Sequence, residues 1–207
     1  MRISESDGRT HEYWDARFSE PGYAYGEHPN DFLRAAIAGI RPGEALSLAE
    51  GEGRNAVYLA RLGFNVTAVD HSAVGLKKAR ELAAKHGVSI TTELADLTDY
   101  DLGQDRWDLV LSIFSHPPSA MRQRLYRTVQ RALRENGAFV LESKSVAGAT
   151  DTSPYPGKAI LRGELGPLRF AIAREVERDL DEGPYHAGMH RVVQILGFKA
   201  DPLLATL

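Results

Sequence analysis

Between residues 45 and 142 the chain alternates short apolar runs with segments of helical periodicity, and this rhythm restricts the fold most. Residues 45–49 (ALSLA) form an apolar run that ends in Glu50-Gly51-Glu52-Gly53, a buried strand meeting a tight turn. Residues 55–62 place Val57, Leu59, Ala60 and Leu62 at helical spacing, and Gly63 stops them. A second strand over 64–70 ends at Asp70, and Ser72 then caps a helix reaching about His86. A third strand spans 88–95, and the nearly continuous apolar run 107–114 (WDLVLSIF) is a central strand buried on both faces. Pro117 and Pro118 open a helix reaching Glu135, and 138–142 is the next strand. Residues 143–157 read as a loop followed by a short irregular stretch, and the segments 168–180 and 190–198 as an antiparallel C-terminal hairpin. Such alternation predicts an α/β fold with a doubly wound, mostly parallel, seven-stranded Rossmann-like sheet.

Composition narrows the classes further. A chain of 207 residues with 43% hydrophobic residues and a formal charge of −3 has a real core and is not dominated by disorder. It reads as one domain over 1–207, with 1–40 as an N-terminal helical or lid segment. The absence of cysteine excludes disulfides, thiol nucleophiles and thiolate metal sites. No apolar block fits a signal peptide or a membrane span, so the expected setting is the cytoplasm, with no membrane partner. The seven histidines show no H-E-x-x-H pattern, and no metal is expected.

In an open α/β sheet a ligand sits outside the carboxyl ends of the strands. Three turns there carry polar chemistry. Residues 51–56 (GEGRNA) fit G-x-G-x-x-A, where glycines admit a ligand close to the backbone. Asp70, one helix later, suits the hydroxyls of a ribose, and Asp96 with Leu97 suits an adenine. The set therefore points to an adenosine-containing cofactor, and NAD and S-adenosylmethionine both qualify. Glu50 and Glu52 flank Gly51 and would repel a pyrophosphate, but they tolerate a sulfonium and an ammonium. There is also no Tyr-x-x-x-Lys pair for hydride chemistry. S-adenosylmethionine fits better.

Residues 45–70 (ALSLAEGEGRNAVYLARLGFNVTAVD) resemble the glycine motif and ribose-binding acid of class I S-adenosylmethionine-dependent methyltransferases. They are most similar to the small bacterial branch related to tellurite-resistance and thiopurine methyltransferases. Residues 14–18 (WDARF), 25–33 (YGEHPNDFL) and 182–186 (EGPYH) resemble that branch's N-terminal motif and C-terminal hairpin. Ser47 and Ala49 stand where the family usually carries an acid and a further glycine, and 143–157 departs from its pattern. The resemblance implies Glu50, Gly51 and Gly53 around the methionine moiety, Asp70 and His71 at the ribose, and Asp96 and Leu97 at the adenine. It places Ser112 to Ser115 at the methyl group and acceptor.

Trp14, Phe18, Tyr23 and Tyr25 offer an aromatic lid over cofactor and acceptor, or equally the apolar face of a docked helix. His116, His186 and Tyr185 are the residues expected to orient the acceptor or take its proton. Arg122, Arg124, Arg127, Arg131 and Arg134 make one helix basic. An RNA surface is one reading, but a solvated outer face is the stronger one, with Leu125, Val129 and Leu133 turned inward. The expected function is methyl transfer to a small soft nucleophile, a thiol or chalcogen, by a monomer or homodimer. RNA methylation, NAD-linked redox chemistry and non-catalytic S-adenosylmethionine binding are the alternatives.

Overall fold

The computed structural model describes residues 10–199. Residues 1–9 of the expected N-terminal segment lie outside this range. Helices α1 (His11–Phe18) and α2 (Asp31–Ala36) precede the sheet. Then follow β1 (Glu44–Leu48), α3 (Arg54–Arg61), β2 (Asn65–Asp70), α4 (Ala73–Lys85), β3 (Thr91–Leu94) and β4 (Trp107–Ile113). The chain continues through α5 (Ser119–Ala132), β5 (Leu133–Lys144), α6 (Lys158–Leu165), β6 (Arg169–Asp181) and β7 (Ala187–Phe198).

The strands form one seven-stranded sheet in the order β3-β2-β1-β4-β5-β7-β6. The first five pair in parallel, and β7 lies antiparallel between β5 and β6. Strand β1 is flanked by β2 and β4, so the winding reverses there and a crevice opens at the carboxyl ends. Alternate side chains feed two cores. Leu46, Leu48, Val110, Phe139 and Leu141 meet Leu125, Val129 and Leu161 on one face, while Ala45, Ala68, Leu109, Leu111 and Val140 meet Phe32, Leu33, Ala56 and Leu59 on the other. Burial on both faces explains why β4 reads as a continuous apolar run.

Several elements differ from expectation for identifiable reasons. Strand β3 covers only 91–94, since it is an edge strand paired with β2 over four positions. Residue 88 instead closes α4, its amide donating to Ala83 O at 3.0 Å. Helix α5 stops at Ala132, short of 135, because Leu133 is already extended and pairs with Trp107. Helix α6 occupies what the sequence suggested was irregular chain.

The arginine helix also differs. Arg122 is not solvated but 1% exposed. Its Nε and Nη2 donate to the two carboxylate oxygens of Glu164 at 2.8 and 2.9 Å, and Nη1 and Nη2 donate to Ser153 O and Asp151 O. Arg122 thus straps α6 and the 145–157 loop to α5. Arg131 and Arg134 pair with Asp101 and Asp108, and Arg124 donates to Leu97 O, so this series is partly spent within the molecule.

Candidate functional site

The turn after β1 is built from left-handed backbone: Ala49, Gly51 and Gly53 have φ of 51, 66 and 95°. A side chain at such a φ costs about 1–3 kcal/mol, so Ala49 stores strain beside the crevice. Glu50 folds back over the start of α3. Its Oε1 accepts from the amides of Asn55 and Ala56 at 3.0 and 2.9 Å, and its other oxygen accepts from Ser47 Oγ. A carboxylate satisfies the free N–H groups of a helix start and suits the positive end of its dipole. Burial nevertheless pushes the Glu50 carboxyl above its usual range. Ser47 and Glu50 together therefore place an acid against the turn although residue 47 is not itself acidic.

Asp70 joins the turns after β1 and β2. Its two oxygens accept from Gly51 N and Ser72 N, each at 2.8 Å. Burial raises its pKa, and the two amides oppose that rise. Asp96 is exposed, and the Thr98 amide holds its carboxyl below the usual range.

These groups line one cavity of about 950 Å³ at the carboxyl ends of the strands. Trp14, Glu50, Gly51, Asp70, His71, Asp96, Leu97, Ser115, His116, Tyr185 and His186 all border it. Two residues placed at the cofactor by sequence do not. Ser112 is turned inward, its Oγ within 2.8 Å of Tyr126 Oη and 2.7 Å of Ser115 Oγ. Gly53 serves packing: a Cβ there would lie 2.6 Å from Ala79 Cα of α4.

The cavity's other walls are aromatic. Trp14 stacks on Phe18 with centroids 5.5 Å apart. Tyr25 and Phe114 meet the His186 ring at 4.8 and 4.4 Å, and Tyr155 meets His116 at 5.1 Å. His116 Nε2 accepts from the Lys144 amide at 3.2 Å, which leaves the neutral ring's proton on Nδ1. His186 is buried, and burial together with the positive charge of Lys144 and Arg54 pushes it down to about 2. Its imidazole is therefore neutral near pH 7 and a poor proton acceptor. Tyr185 sits at the rim, with Arg17 stacked 3.5 Å over its ring and its hydroxyl donating to Glu20.

Sequence reasoning missed the polar network beneath this wall. Asn30 Nδ2 donates to Glu142 Oε2 at 2.6 Å and to Glu182 Oε1 at 2.9 Å. Arg178 Nη2 donates to Glu142 Oε2 at 2.7 Å and also pairs with Glu182, whose other oxygen accepts from Arg54 Nη2 at 2.7 Å. The cationic partners lower the Glu182 pKa against its burial. Within the matched motifs Asn30, Arg54 and Glu182 are visible as letters, but nothing in their spacing joins them to Glu142. Among the described residues no group of three or more His, Asp or Glu is arranged to hold a metal ion.

The sheet order and the glycine turn with its acidic partner define the class I S-adenosylmethionine-dependent methyltransferase fold. Residues 45–137 match the family model described as a methyltransferase domain. The chain is 34% identical over 73 residues to the probable S-adenosyl-L-methionine-dependent methyltransferase TehB of Haemophilus influenzae, a match covering 35% of this chain and 25% of that protein. It is 26% identical over 126 residues to Hemagglutinin 1 of Eikenella corrodens, covering 60% of this chain and 40% of that protein. The chain thus spans less than half the length of these curated relatives. A solved structure described by the conversion of a disulfide bond into a thioacetal group during echinomycin biosynthesis superposes with a TM-score of 0.73 at 18% identity, over 96% of both chains. S-adenosylmethionine is the cofactor that the family implies. The residues fit it: Gly51 borders the cavity with no side chain of its own, and Glu50 and Asp70 put carboxylates beside the turn.

Proposed function

We propose that the protein is an S-adenosylmethionine-dependent methyltransferase of a small molecule, with a soft thiol or chalcogen nucleophile as acceptor. One observation carries this reading: a single cavity has the acid-flanked glycine turn and Asp70 on one side and an aromatic, histidine-bearing wall on the other. The relatives add that TehB is named as a probable methyltransferase of the same cofactor.

Gly51, Asp70, Asp96 and Leu97 would hold the cofactor, with Trp14 and His71 at its edges. When bound, S-adenosylmethionine supplies a methyl group activated by the sulfonium. The chain's contribution is alignment and exclusion of water, through Tyr25, Phe114, Tyr155 and Tyr185 around the acceptor. His186, neutral and buried, would orient the acceptor, and His116 would be the residue to take a proton. A thiolate or chalcogen anion needs no such base. The proposed setting is the cytoplasm, and no helix among the described residues is long and apolar enough to cross a membrane.

Calorimetry with S-adenosylmethionine, S-adenosylhomocysteine and NAD tests the cofactor. Binding of NAD alone would replace the reading with a redox one. A panel of small thiols and reduced chalcogen species, read as S-adenosylhomocysteine release, tests the acceptor. Methylation of bulk RNA and of none of these would overturn it.

A further inference from the structure

A buried arginine holds the loop over residues 145–157 against the cavity. Both carboxylate oxygens of Glu164 meet the charge of Arg122, and the terminal nitrogens of Arg122 also donate to Ser153 O at 2.9 Å and Asp151 O at 2.8 Å. A guanidinium is costly to bury unless its arms are paired, and here two of them hold loop carbonyls. Pro154 and Tyr155, the next residues in the chain, border the cavity. The Tyr155 amide donates to Ser153 Oγ at 3.1 Å, and its carbonyl accepts from the Val146 amide at 3.4 Å. The place of the Tyr155 ring therefore follows from the splint that Arg122 provides.

The rings beside it are also held at a conformational cost. Phe114 and His116, in the turn after β4, have φ of 51 and 45°, a left-handed backbone that residues other than glycine rarely adopt. The Tyr155 ring meets His116 edge-on, 5.1 Å between centroids. Pro117, Pro118 and Met121 line the cavity next to them, and Met121 immediately precedes Arg122 in α5. The carboxylates among the described lining residues, Glu50, Glu52, Asp70 and Asp96, all follow β1, β2 or β3. The end beyond β4 and β5 is lined instead by rings, prolines and a thioether, with Ser115, His116 and Lys144 as its polar members. Such a surface favours an apolar body in proportion to the area covered, and it offers a small hydrated ion little in return for its water.

Resting on the methyltransferase reading above, we propose that Tyr155 selects the acceptor, and that the acceptor is an organic thiol with an apolar body, not an inorganic chalcogen ion. Arg122 is a positioning residue that acts through the loop. The thiol first loses its proton to water. Its sulfur then bonds the methyl carbon as that carbon's bond to the sulfonium breaks, so that each product is a thioether. The test uses the full chain with benzyl mercaptan, 2-mercaptoethanol and hydrosulfide. Calorimetry measures S-adenosylhomocysteine binding, NMR titration of the saturated protein measures each organic thiol, and S-adenosylhomocysteine release measures turnover.

Wild type should bind benzyl mercaptan about tenfold more tightly than 2-mercaptoethanol, and should methylate it faster than hydrosulfide. Tyr155→Ala should remove most of that tenfold preference without changing S-adenosylhomocysteine affinity, and Tyr155→Phe, which keeps the ring, should retain it. A folded Arg122→Met variant should show the same loss of preference, and wild-type selectivity there would remove its positioning role. An undiminished preference in Tyr155→Ala, or hydrosulfide turnover equal to that of benzyl mercaptan, overturns the proposal while S-adenosylhomocysteine binding upholds the methyltransferase reading. Failure of wild type to bind S-adenosylhomocysteine sinks that reading, and the proposal with it.

Discussion

The two sides of the cavity are built by different means. The glycine-turn side is made from backbone: left-handed residues at 49, 51 and 53, the amides of Gly51 and Ser72 on Asp70, and those of Asn55 and Ala56 on Glu50. The hairpin side is made from side chains that meet from distant parts of the chain, with Asn30, Arg54, Glu142, Arg178 and Glu182 in one network. A backbone-built site keeps its shape while side chains vary. A side-chain network changes its specificity when one member changes. Under the proposed function the cofactor pocket uses the first kind of construction and the acceptor pocket the second.

The contrast can be broken from either side. The largest effect is expected from Arg122→Met, which leaves Glu164 buried without its partner and frees the 145–157 loop. Denaturant unfolding should show a loss of about 3–5 kcal/mol. Cofactor affinity of the folded variant should hardly change, and a matching loss there would mean that the two sides are not separable. Gly53→Ala acts on the other side, forcing a Cβ to within 2.6 Å of Ala79 Cα at a left-handed φ. Here the expected destabilisation is about 2–3 kcal/mol, and wild-type stability would show that the turn can shift against α4.

Asp70→Ala should be smaller in stability and larger in binding. Removing the acid that ties the two turns should cost roughly 1–3 kcal/mol of S-adenosylmethionine affinity in calorimetry. Unchanged affinity would remove Asp70 from the cofactor site. The smallest effect at neutral pH concerns His186. Its folded pKa is held to about 2 against an ordinary value of 6.5, so the unfolded chain takes up a proton first as pH falls. That stability is present above pH 6.5 and is lost progressively below it. Wild type should therefore lose stability more steeply than His186→Phe from pH 6.5 downward, and parallel curves would show that the ring is more hydrated than its packing implies.

What the sequence reveals follows the same division. The turn, Asp70 and the Ser72 cap fall within one strand-helix-strand unit, where spacing alone brings them to one edge. The network does not, because Asn30 and Glu142 are 112 residues apart and only the finished sheet makes them neighbours. Arg122 is misplaced by pattern reasoning since its charge matches the solvated arginines around it, and its partner Glu164 lies 42 residues away on a helix the sequence hides. That helix, Lys158–Leu165, is short and follows a Pro- and Gly-rich stretch, so its own periodicity is too brief to register. Gly53 reads in the sequence as part of a cofactor turn, and its packing against Ala79 of α4 is visible only in three dimensions.

Strand β7 is nearly the last piece of the described chain, yet it lies inside the sheet between β5 and β6. On the ribosome, β5 must therefore wait with an open edge until residues 187–198 emerge, and nascent chains that stall earlier present that edge to one another. Tyr185 and His186 stand immediately before β7, so the wall that faces the cofactor turn is also among the last parts to be set. Residues 185–198 thus complete both the covered edge of β5 and that wall of the cavity.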